Sequence, residues 1–327
     1  MTVRIINSDC REALKSLPDN SIHCCVTSPP YFGLRDYGVD GQIGLEQTPD
    51  EYVAKLVEVF REVRRVLRDD GTLWLNLGDS YFSTTKGTGG KNSSTINAKR
   101  DENGTVIGKS IITYDPIRIS PGETGLKPKD LIGIPWRVAF ALQADGWYLR
   151  QDVIWSKPNP MPESVKDRCT KAHEYIFLLS KSPRYYFDSE AIKEPAVSEK
   201  PAGNRRAMNA GRLGKEGWSF DPAKSIPERR NRRSVWTVAT EPFSEAHFAV
   251  FPPSLIEPCI LAGCPKGGTV LDPFGGSGTT GLVADRLGRN AVLIELNSEY
   301  AEMARRRLER DSGLFASVEI ETAEAAE

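Results

Sequence analysis

The most informative part of the sequence is TVLDPFGGSGTTGLVADRLG, residues 269–288. An apolar, β-prone run ends at Asp272, and a glycine-rich turn then leads into a helical pattern. Glycine lets the chain turn sharply and lets a ligand approach the backbone closely, while the start of a helix offers free N–H groups. The stretch therefore predicts a strand, a ligand-binding turn and a helix. The turn and the first helical residue are Gly275, Gly276, Gly278 and Thr279.

The chemistry around this turn narrows the class of ligand. A phosphate-binding P-loop requires GxxxxGK[ST], and no lysine follows Gly278. A dinucleotide fold requires GxGxxG, whereas the spacing here is GGSG. The next strand-like run, NAVLIELN, reaches Glu295, whose carboxylate can accept both hydroxyls of a ribose. A tight turn with a helix cap is the plain alternative, but these features together predict a nucleoside cofactor without a pyrophosphate, such as S-adenosylmethionine (AdoMet).

The rest of the chain alternates between strand-like and helix-like runs. TVRIINSD, SIHCCVT and GTLWLNLGD read as strands, and the segments between them have helical periodicity. Short joins in a β-α-β-α-β order are typical of a parallel, doubly wound sheet. The run AHEYIFLLSKSPRYYFD predicts an antiparallel hairpin at one edge of that sheet.

Composition divides the chain into a core and three irregular segments. Residues 199–233 hold ten Lys/Arg against four Asp/Glu, and residues 311–327 hold five acidic residues and no basic one. A basic insert in a chain of net charge −1 indicates a local nucleic-acid surface, although a solvated loop is the plain alternative. We predict a core of 1–188 and 241–311, a long flexible loop of 80–127 within it, a basic insert of 189–240 and a disordered tail of 312–327.

Bulk features exclude several classes of protein. No apolar run approaches the roughly 18 residues needed to span a membrane, and the first residues lack the pattern of a signal peptide. The six cysteines and three histidines show no metal-ligand spacing. We therefore expect a cytoplasmic protein without structural zinc or disulfides.

A second motif, TSPPY at residues 27–31, ends the strand-like run SIHCCVT. Ligands in open α/β sheets bind at such carboxyl ends of strands. Consecutive prolines fix φ near −65° and remove N–H donors, which leaves the Ser28 hydroxyl and the Pro29 carbonyl as acceptors. Tyr31 adds a flat face beside them. The motif suits an exocyclic amine on a planar ring, although a proline-rich turn that merely ends a strand is equally consistent with these residues alone.

Together, TSPPY and DPFGGSGTTG resemble the two signature motifs of the amino-methylating DNA methyltransferases that use AdoMet. The order of catalytic motif, basic insert and cofactor loop is similar to that of the β class of this family. The resemblance covers about residues 1–80, 128–188 and 241–311. It implies an AdoMet-dependent methyltransferase (Rossmann-like) α/β fold with a mostly parallel, seven-stranded sheet and an inserted target-recognition region.

The resemblance also implies further site residues. Asp9 is similar to an acid that contacts the adenine side of the cofactor, and Phe274 to the aromatic residue of the cofactor loop. The segment HFAVFPPSLIEP resembles the wall beside the methionine end of the cofactor. Each has a structural alternative, such as a helix cap for Asp9. The cofactor contacts implied are Asp9, His247, Phe251, Pro252, Asp272, Phe274, Gly275, Gly276, Gly278, Thr279 and Glu295.

The residue before the two prolines divides the family. Serine at this place usually marks methylation of cytosine N4, and aspartate or asparagine marks adenine N6. Ser28 therefore favours cytosine N4, with adenine N6 as the alternative. Methylation of cytosine C5 requires a thiolate that adds to the ring. Neither Cys25, inside a strand-like run, nor Cys259, inside a helix-like run, has that context.

The resemblance implies direct methyl transfer to a base flipped out of duplex DNA. Ser28 and Pro29 would orient the amine, Pro30 would hold the turn rigid and Tyr31 would stack on the base; no metal is required. Residues near the base pocket that could reach a base or phosphate are Trp155, Lys157, Asn159, Lys171, His173 and Glu174. The insert supplies further DNA contacts, to phosphates or guanine edges: Arg205, Arg206, Arg212, Arg229, Arg230, Arg232 and Arg233.

The expected partners are double-stranded DNA and a cognate restriction endonuclease, in a prokaryotic or phage-encoded system. The chain is expected to be a monomer or a homodimer. The main rival is an RNA or small-molecule methyltransferase on the same fold. A nucleic-acid-binding module without catalysis would need neither the glycine turn nor the Pro-Pro turn.

Overall fold

The computed structural model describes residues 1–34, 36–82, 99–100, 106–107, 125–196, 228–241, 251–312 and 317–322. The helices are α1 Cys10–Ser16, α2 Pro49–Val66, α3 Ile134–Ala144, α4 Pro253–Gly263, α5 Thr279–Arg286 and α6 Ser298–Ser312. The strands are β1 Thr2–Asn7, β2 Ile22–Thr27, β3 Leu67–Leu77, β4 Lys99–Arg100, β5 Val106–Ile107, β6 Tyr148–Ser156, β7 His173–Ser180, β8 Glu194–Pro195, β9 Arg229–Arg230, β10 Val235–Thr237, β11 Thr269–Asp272, β12 Asn290–Glu295 and β13 Ser317–Thr322. No helix within these ranges is long and apolar enough to cross a membrane.

The main sheet has the order β10-β6-β7-β3-β2-β11-β12-β1-β13, and every neighbouring pair is parallel except the two that involve β7. Successive residues of a strand point to opposite faces, so each strand feeds two buried clusters. Cys25 joins the cluster under α1, α2 and α3, whereas Cys24 joins the one under α4, α5 and α6. The sheet is thus covered by helices on both faces, which confirms the doubly wound α/β fold.

Helix α2 shows how local sequence produces this packing. The Thr48 side chain accepts a hydrogen bond from the N–H of Glu51 (3.1 Å), Pro49 occupies the first turn, and Asp50 and Glu51 favour the positive end of the helix dipole. Its buried residues recur at helical spacing along one face, toward the sheet. They are Tyr52, Leu56, Val59, Phe60 and Val63.

The topology places a crevice between β2 and β11. From β2 the chain crosses through α2 to β3 on one side, and from β11 it crosses through α5 to β12 on the other side. Two neighbouring parallel strands whose connections diverge leave an open crevice beyond their carboxyl ends, where α/β proteins bind ligands. Both sequence motifs follow these two strands.

The sheet differs in detail from the expected seven strands with an edge hairpin. The described residues form nine strands in the main sheet, and the antiparallel strand β7 lies inside it, between β3 and β6. The run that follows β7 is not a second strand, because Pro183 interrupts it and only isolated backbone bonds, such as Tyr186 N–H to the Asp70 carbonyl (2.9 Å), hold it.

Two predicted segment boundaries also move. Trp236, assigned to the basic insert, is 5 % exposed and belongs to the core of the main sheet, since β10 pairs with β6. The tail from 312 was predicted to be disordered, but β13 pairs in parallel with β1. Arg4 binds Glu321 through two hydrogen bonds (3.0 and 2.8 Å), which offsets the acidic charge of this strand.

Gly278 begins α5 where two helices approach closely. Its φ is +77°, and a Cβ would lie 2.9 Å from the Cβ of Ala304 on α6. We expect Gly278→Ala to lower the free energy of unfolding by about 2–4 kcal/mol, since left-handed strain and overpacking add. Gly267→Ala is the matched control, because its φ is +75° and nothing lies within 4 Å of its Cβ position. Equal losses for both variants in urea unfolding would contradict the close-packing argument.

Candidate active site

One cavity of about 390 Å³ joins the two segments that the sequence singles out. The Ser-Pro-Pro-Tyr turn after β2 forms one wall, and the glycine turn after β11 forms another. Sites for small molecules typically occupy about 300–1,000 Å³. The predicted site residues that line the cavity are Asp9, Ser28, Pro29, Pro30, Tyr31, Phe251, Asp272, Phe274, Gly275, Gly276, Thr279 and Glu295.

The glycine turn lies directly against β12. The N–H of Gly275 donates to the Ile294 carbonyl (2.8 Å), and a Cβ on Gly275 would lie 3.1 Å from the Cβ of Leu293. Gly276 has a φ of +51°. The path of the backbone therefore accounts for both glycines, and it brings the turn to the cavity surface.

The buried side chain of Asp272 connects the two motifs by hydrogen bonds. Its side chain accepts hydrogen bonds from the hydroxyls of Thr27 and Thr280 (both 2.6 Å) and from the N–H of Phe274 (3.1 Å). Burial raises the pKa of Asp272, while these donors act in the opposite direction. Because Thr27 ends β2 and Phe274 begins the glycine turn, one buried carboxyl fixes both walls of the cavity.

The far side of the glycine turn is anchored to α6. Arg307 Nη1 donates to Thr279 Oγ1 (2.9 Å) and to Ser277 Oγ (3.0 Å). Gly278 does not line the cavity and packs instead on Ala304. Of these residues, Ser277 and Thr279 face the cavity, and Gly278 shapes the turn.

Glu295 presents a rigid carboxylate to the cavity. Its Oε2 accepts the N–H of Gly276 (2.7 Å) and its Oε1 accepts the N–H of Asn297 (2.9 Å). Burial raises the pKa of Glu295, and the backbone donors counteract that rise. A carboxylate has about four lone-pair sites, so each oxygen can accept one more donor from a ligand.

Asp9 has the helix-cap role that the sequence suggests, and its contact with the cofactor stays a prediction. Its side chain caps α1 by accepting the N–H of Arg11 (2.8 Å), and it also lines the cavity. Burial alone would raise the pKa of Asp9, but the hydrogen bonds and charge of Arg11 lower it overall. Asp9 is therefore ionised at neutral pH and contributes negative charge to the cavity.

The Ser-Pro-Pro-Tyr turn is held from two directions. The Tyr52 hydroxyl on α2 donates to the carbonyl of Pro30 (2.8 Å), not to that of Pro29. The Tyr31 ring lies on the backbone at Gly78, where a Cβ would come within 2.5 Å of Tyr31 Cε2. These contacts fix the ring and leave the Ser28 and Pro29 side of the turn toward the cavity.

Hydrogen bonding with a defined direction runs from Tyr31, beside Ser28, into the protein. The Tyr31 hydroxyl donates to Glu174 Oε2 (2.7 Å). Burial, above all, raises the pKa of Tyr31, so its hydroxyl keeps its proton, while Ser28 acts on that pKa in the opposite direction, as a hydrogen-bond donor does. Because the single proton of the Tyr31 hydroxyl is directed to Glu174, this hydroxyl can only accept from Ser28. The lone pairs of Ser28 are therefore left to accept a hydrogen bond from a ligand.

Three further side chains complete this end of the cavity. Asn76 Nδ2 donates to the Tyr175 carbonyl (3.0 Å) and to Glu174 Oε2 (3.3 Å). Lys157 pairs with Glu174 Oε1, and its ammonium lies 4.1 Å from the centre of the Trp155 ring. Trp155, Lys157 and Glu174 thus line the cavity together, as the sequence allowed, whereas Asn76 was not predicted.

Several predicted contacts lie elsewhere. Lys171 Nζ donates to the Asp79 carbonyl (2.8 Å), and burial lowers the pKa of Lys171. His173 packs edge-on against Tyr175 (5.4 Å between ring centres). Pro252 caps α4 and does not line the cavity. The predictions for His247, Arg205, Arg206 and Arg212 fall outside the described residues.

The remaining predicted arginines lie at the described end of the insert. Nε of Arg230 and Nε of Arg233 both donate to Glu194 (2.8 and 2.7 Å). Arg229 binds a backbone carbonyl, and Arg229 and Arg233 are exposed. Arg232 turns inward, with its guanidinium carbon 4.7 Å from the centre of the Trp236 ring. Among the predicted arginines that the structure describes, Arg229 and Arg233 are therefore the exposed pair.

The cysteines that the sequence singled out, and the one that lines the cavity, offer no nucleophile for attack on a base. Cys25 and Cys259 are fully buried, and burial raises the pKa of both thiols. Cys10 lines the cavity, but burial raises its pKa to about 12. A thiol with such a pKa is protonated at neutral pH and is not a nucleophile. This agrees with the sequence argument against methylation at cytosine C5.

Gly78 was not predicted to matter, yet it sets the position of Tyr31. We expect Gly78→Ala to displace the Tyr31 ring and to lower kcat for methyl transfer about tenfold or more, because reacting groups lose their alignment. AdoMet affinity, measured by calorimetry, should stay within twofold of wild type, since the glycine turn is untouched. A wild-type kcat would contradict the role of this contact.

Sequence comparisons place the chain among known proteins. A family model for DNA methylases of the N6 and N4 type matches residues 22–306. The type II methyltransferase M.SmaI of Serratia marcescens is 51% identical over 307 residues, covering 94% of this chain and 91% of the relative. M.Cfr9I of Citrobacter freundii is 47% identical over 305 residues, covering 93% of this chain and 87% of the relative.

Solved structures share the fold. The cytosine-N4-specific PvuII DNA methyltransferase has a TM-score of 0.62 at 20% identity, covering 97% of this chain and 96% of its own. A DNA modification methylase of Thermus thermophilus, complexed with AdoMet, has a TM-score of 0.60 at 24% identity, covering 98% of this chain and 99% of its own. With the two motifs on one cavity and these relatives along nearly its whole length, the chain belongs to the family of amino-methylating, site-specific DNA methyltransferases.

Proposed function

We propose that this enzyme transfers a methyl group from AdoMet to the exocyclic N4 amine of a cytosine flipped out of duplex DNA. The observation that carries the proposal is the hydrogen bond from Tyr31 to Glu174, which directs the Tyr31 proton away from Ser28. It leaves the Ser28 oxygen as an acceptor beside the glycine turn. An amine, which has N–H groups to donate, is the substrate that such an acceptor selects.

The cofactor end of the cavity fits AdoMet. Glu295 can accept ribose hydroxyls, and Phe251 and Phe274 supply apolar surface. Carboxylates outnumber cations in the described lining, which suits a ligand with a sulfonium and an ammonium group. The acidic lining residues are Asp9, Glu174, Glu241, Asp272 and Glu295. When bound, AdoMet supplies an electrophilic methyl group.

The amine end of the cavity supplies positioning. Ser28 accepts one N–H of the amine, and the Pro29 carbonyl accepts the other. These two hydrogen bonds take the nitrogen lone pair out of conjugation with the base ring. The fixed φ of Pro29 and Pro30 holds both acceptors in place. Tyr31 contacts the base with the face of its ring that Gly78 leaves free. Rate enhancement then comes mainly from alignment of the reacting groups.

Base flipping follows from where the acceptors lie. The amine of a paired cytosine is hydrogen-bonded and stacked inside the duplex, and Ser28 is half-buried at a sheet edge. A base must leave the helix to reach it. Arg229 and Arg233 then contact the phosphate backbone and steady the duplex. A cognate restriction endonuclease stays a prediction.

Cytosine is favoured over adenine because Ser28 occupies the first position of the motif. The test is expression in a host without DNA methylases, with nucleoside mass spectrometry and long-read sequencing of the host DNA. N4-methylcytosine at one sequence is the expected product. N6-methyladenine alone would overturn the base assignment, and methylation confined to RNA would overturn the DNA substrate.

A further inference from the structure

Lys157 is the single cationic side chain among the described residues that line the cavity. It follows β6, whose carboxyl end lies at the same sheet edge as that of β2. Its side chain is 18% exposed and pairs with Glu174, which is 16% exposed. Its ammonium also lies on the Trp155 ring, at 4.1 Å from the centre. The side chain is therefore held in one place at the cavity wall.

This location puts a cation beside the amine acceptor. Glu174 links the two, since one oxygen binds Lys157 and the other binds Tyr31, the last residue of the turn that holds Ser28. An ammonium has three N–H donors and no acceptor. Glu174 takes one of them, so donors remain for a ligand that enters the cavity.

The pyrimidine edge offers acceptors in the required order. Cytosine presents the N4 amine, then ring nitrogen N3, then carbonyl oxygen O2. Adenine presents the N6 amine and ring nitrogen N1, and then a C–H group where cytosine has O2. We propose that Lys157 donates a hydrogen bond to O2 of the flipped cytosine and so selects cytosine over adenine. This proposal rests on the proposed function and names a residue that determines its specificity.

Selection arises because a C–H group gives no hydrogen-bond partner to a cation that is largely removed from water. A site built to donate to an oxygen rejects a ligand that lacks this oxygen, since the donor loses its water without gaining a partner. The acidic residues of the lining do not remove this effect. The carboxylate that pairs with Lys157, that of Glu174, already accepts hydrogen bonds from Tyr31 and Asn76. Ser28 would thus recognise the amine, and Lys157 the carbonyl.

The test uses duplex oligonucleotides in which the target cytosine is replaced by a 2-aminopyridine nucleoside. This analogue keeps the amine and the adjacent ring nitrogen but lacks the carbonyl oxygen. For the wild-type enzyme and for Lys157→Met, kcat/KM is measured on cytosine and on the analogue. The analogue changes the reactivity of the amine equally for both enzymes. This change therefore cancels when the cytosine preference of the wild-type enzyme is divided by that of Lys157→Met. We expect the wild-type preference for cytosine to fall about tenfold or more in Lys157→Met.

Lys181→Met is the matched control, because Lys181 follows the other end of β7, is 17% exposed, and also pairs with a carboxylate, that of Asp69. It should keep the wild-type preference. An unchanged preference in Lys157→Met, with activity lost equally on both substrates, would overturn the proposal and leave Lys157 as a support for Glu174. A failure of the proposed function is distinct, because wild-type enzyme would then not methylate the cytosine substrate at all.

Discussion

Replacing Ser28 by alanine is expected to lower kcat for methyl transfer by roughly 100-fold or more while AdoMet affinity stays unchanged. In the proposed mechanism this hydroxyl lies beside Tyr31, which donates to Glu174, and its lone pairs accept from the amine. Without it, one N–H of the amine loses its acceptor and the nitrogen lone pair loses its orientation. The proposed cofactor contacts, at the turn after β11 and at Glu295, are not altered. Single-turnover rates and calorimetric AdoMet titration measure the two quantities separately.

Ser21→Ala is the control for this experiment. Ser21 precedes the same strand at its opposite end, where its hydroxyl donates to the Pro18 carbonyl (2.7 Å). Its loss should leave kcat near the wild-type value. If Ser28→Ala retained full kcat on the cytosine substrate, then its hydroxyl would not be the amine acceptor. If Ser28→Ala lost AdoMet binding as well, then the two ends of the cavity would not be separable.

The fold could be predicted from sequence where the conformational preferences of a few neighbouring residues fix the backbone. The glycine turn requires the left-handed conformation of Gly276 and Gly278, and the Pro-Pro turn requires a fixed φ, so both are visible in a few residues. The helices that cover the sheet are equally visible, because their apolar spacing matches their period. Family membership followed from the order of the two turns, and the comparisons confirm it.

Strands that depend on distant partners could not be predicted. Strand β13 alternates Val318 and Ile320 with acidic residues, but its composition resembles that of a disordered tail. It forms because β1 offers an edge and Arg4 neutralises Glu321, from more than 300 positions away in sequence. Strand β10 has only three residues in a basic segment. Its place is set by Trp236, which packs beside Trp74 in the core.

The residues of the candidate site also fall into those that the sequence predicted and those that it could not. Ser28 follows β2 and Glu295 ends β12, and both strands are visible in the sequence, so their shared sheet edge could be predicted. Asn76 and Gly78 carry no local signal, since an asparagine or a glycine at the end of a strand is ordinary. Their roles come from contacts with Glu174 and Tyr31, which only the tertiary structure brings together. For Arg232 the sequence was misleading. Its charge predicted a contact with DNA, whereas its guanidinium lies on the Trp236 ring.

Glu295 is expected to control cofactor affinity. We predict that Glu295→Ala weakens AdoMet binding by about 100-fold, because the ribose loses charge-assisted hydrogen bonds worth about 1.5–3 kcal/mol in total. The same variant removes the acceptor of the Gly276 and Asn297 N–H groups, which loosens the glycine turn. Glu299→Gln, an exposed position in the next helix, is the control and should bind AdoMet normally.

The Glu295→Gln variant tests whether AdoMet affinity depends on the charge of this side chain or only on its shape. Both carboxylate oxygens accept a backbone N–H, and an amide can replace only one of them, since its NH2 group would face a second donor. We therefore expect this near-isosteric variant to lose most of the affinity that Glu295→Ala loses. In the wild-type enzyme, burial raises the pKa of Glu295, and hydroxyl donors bind best to its ionised form. AdoMet affinity should then fall as the pH drops through that raised pKa, and Glu295→Gln should lack this dependence in calorimetric titrations. A Gln variant with wild-type affinity would show that the carboxylate supports the turn and does not hold the cofactor.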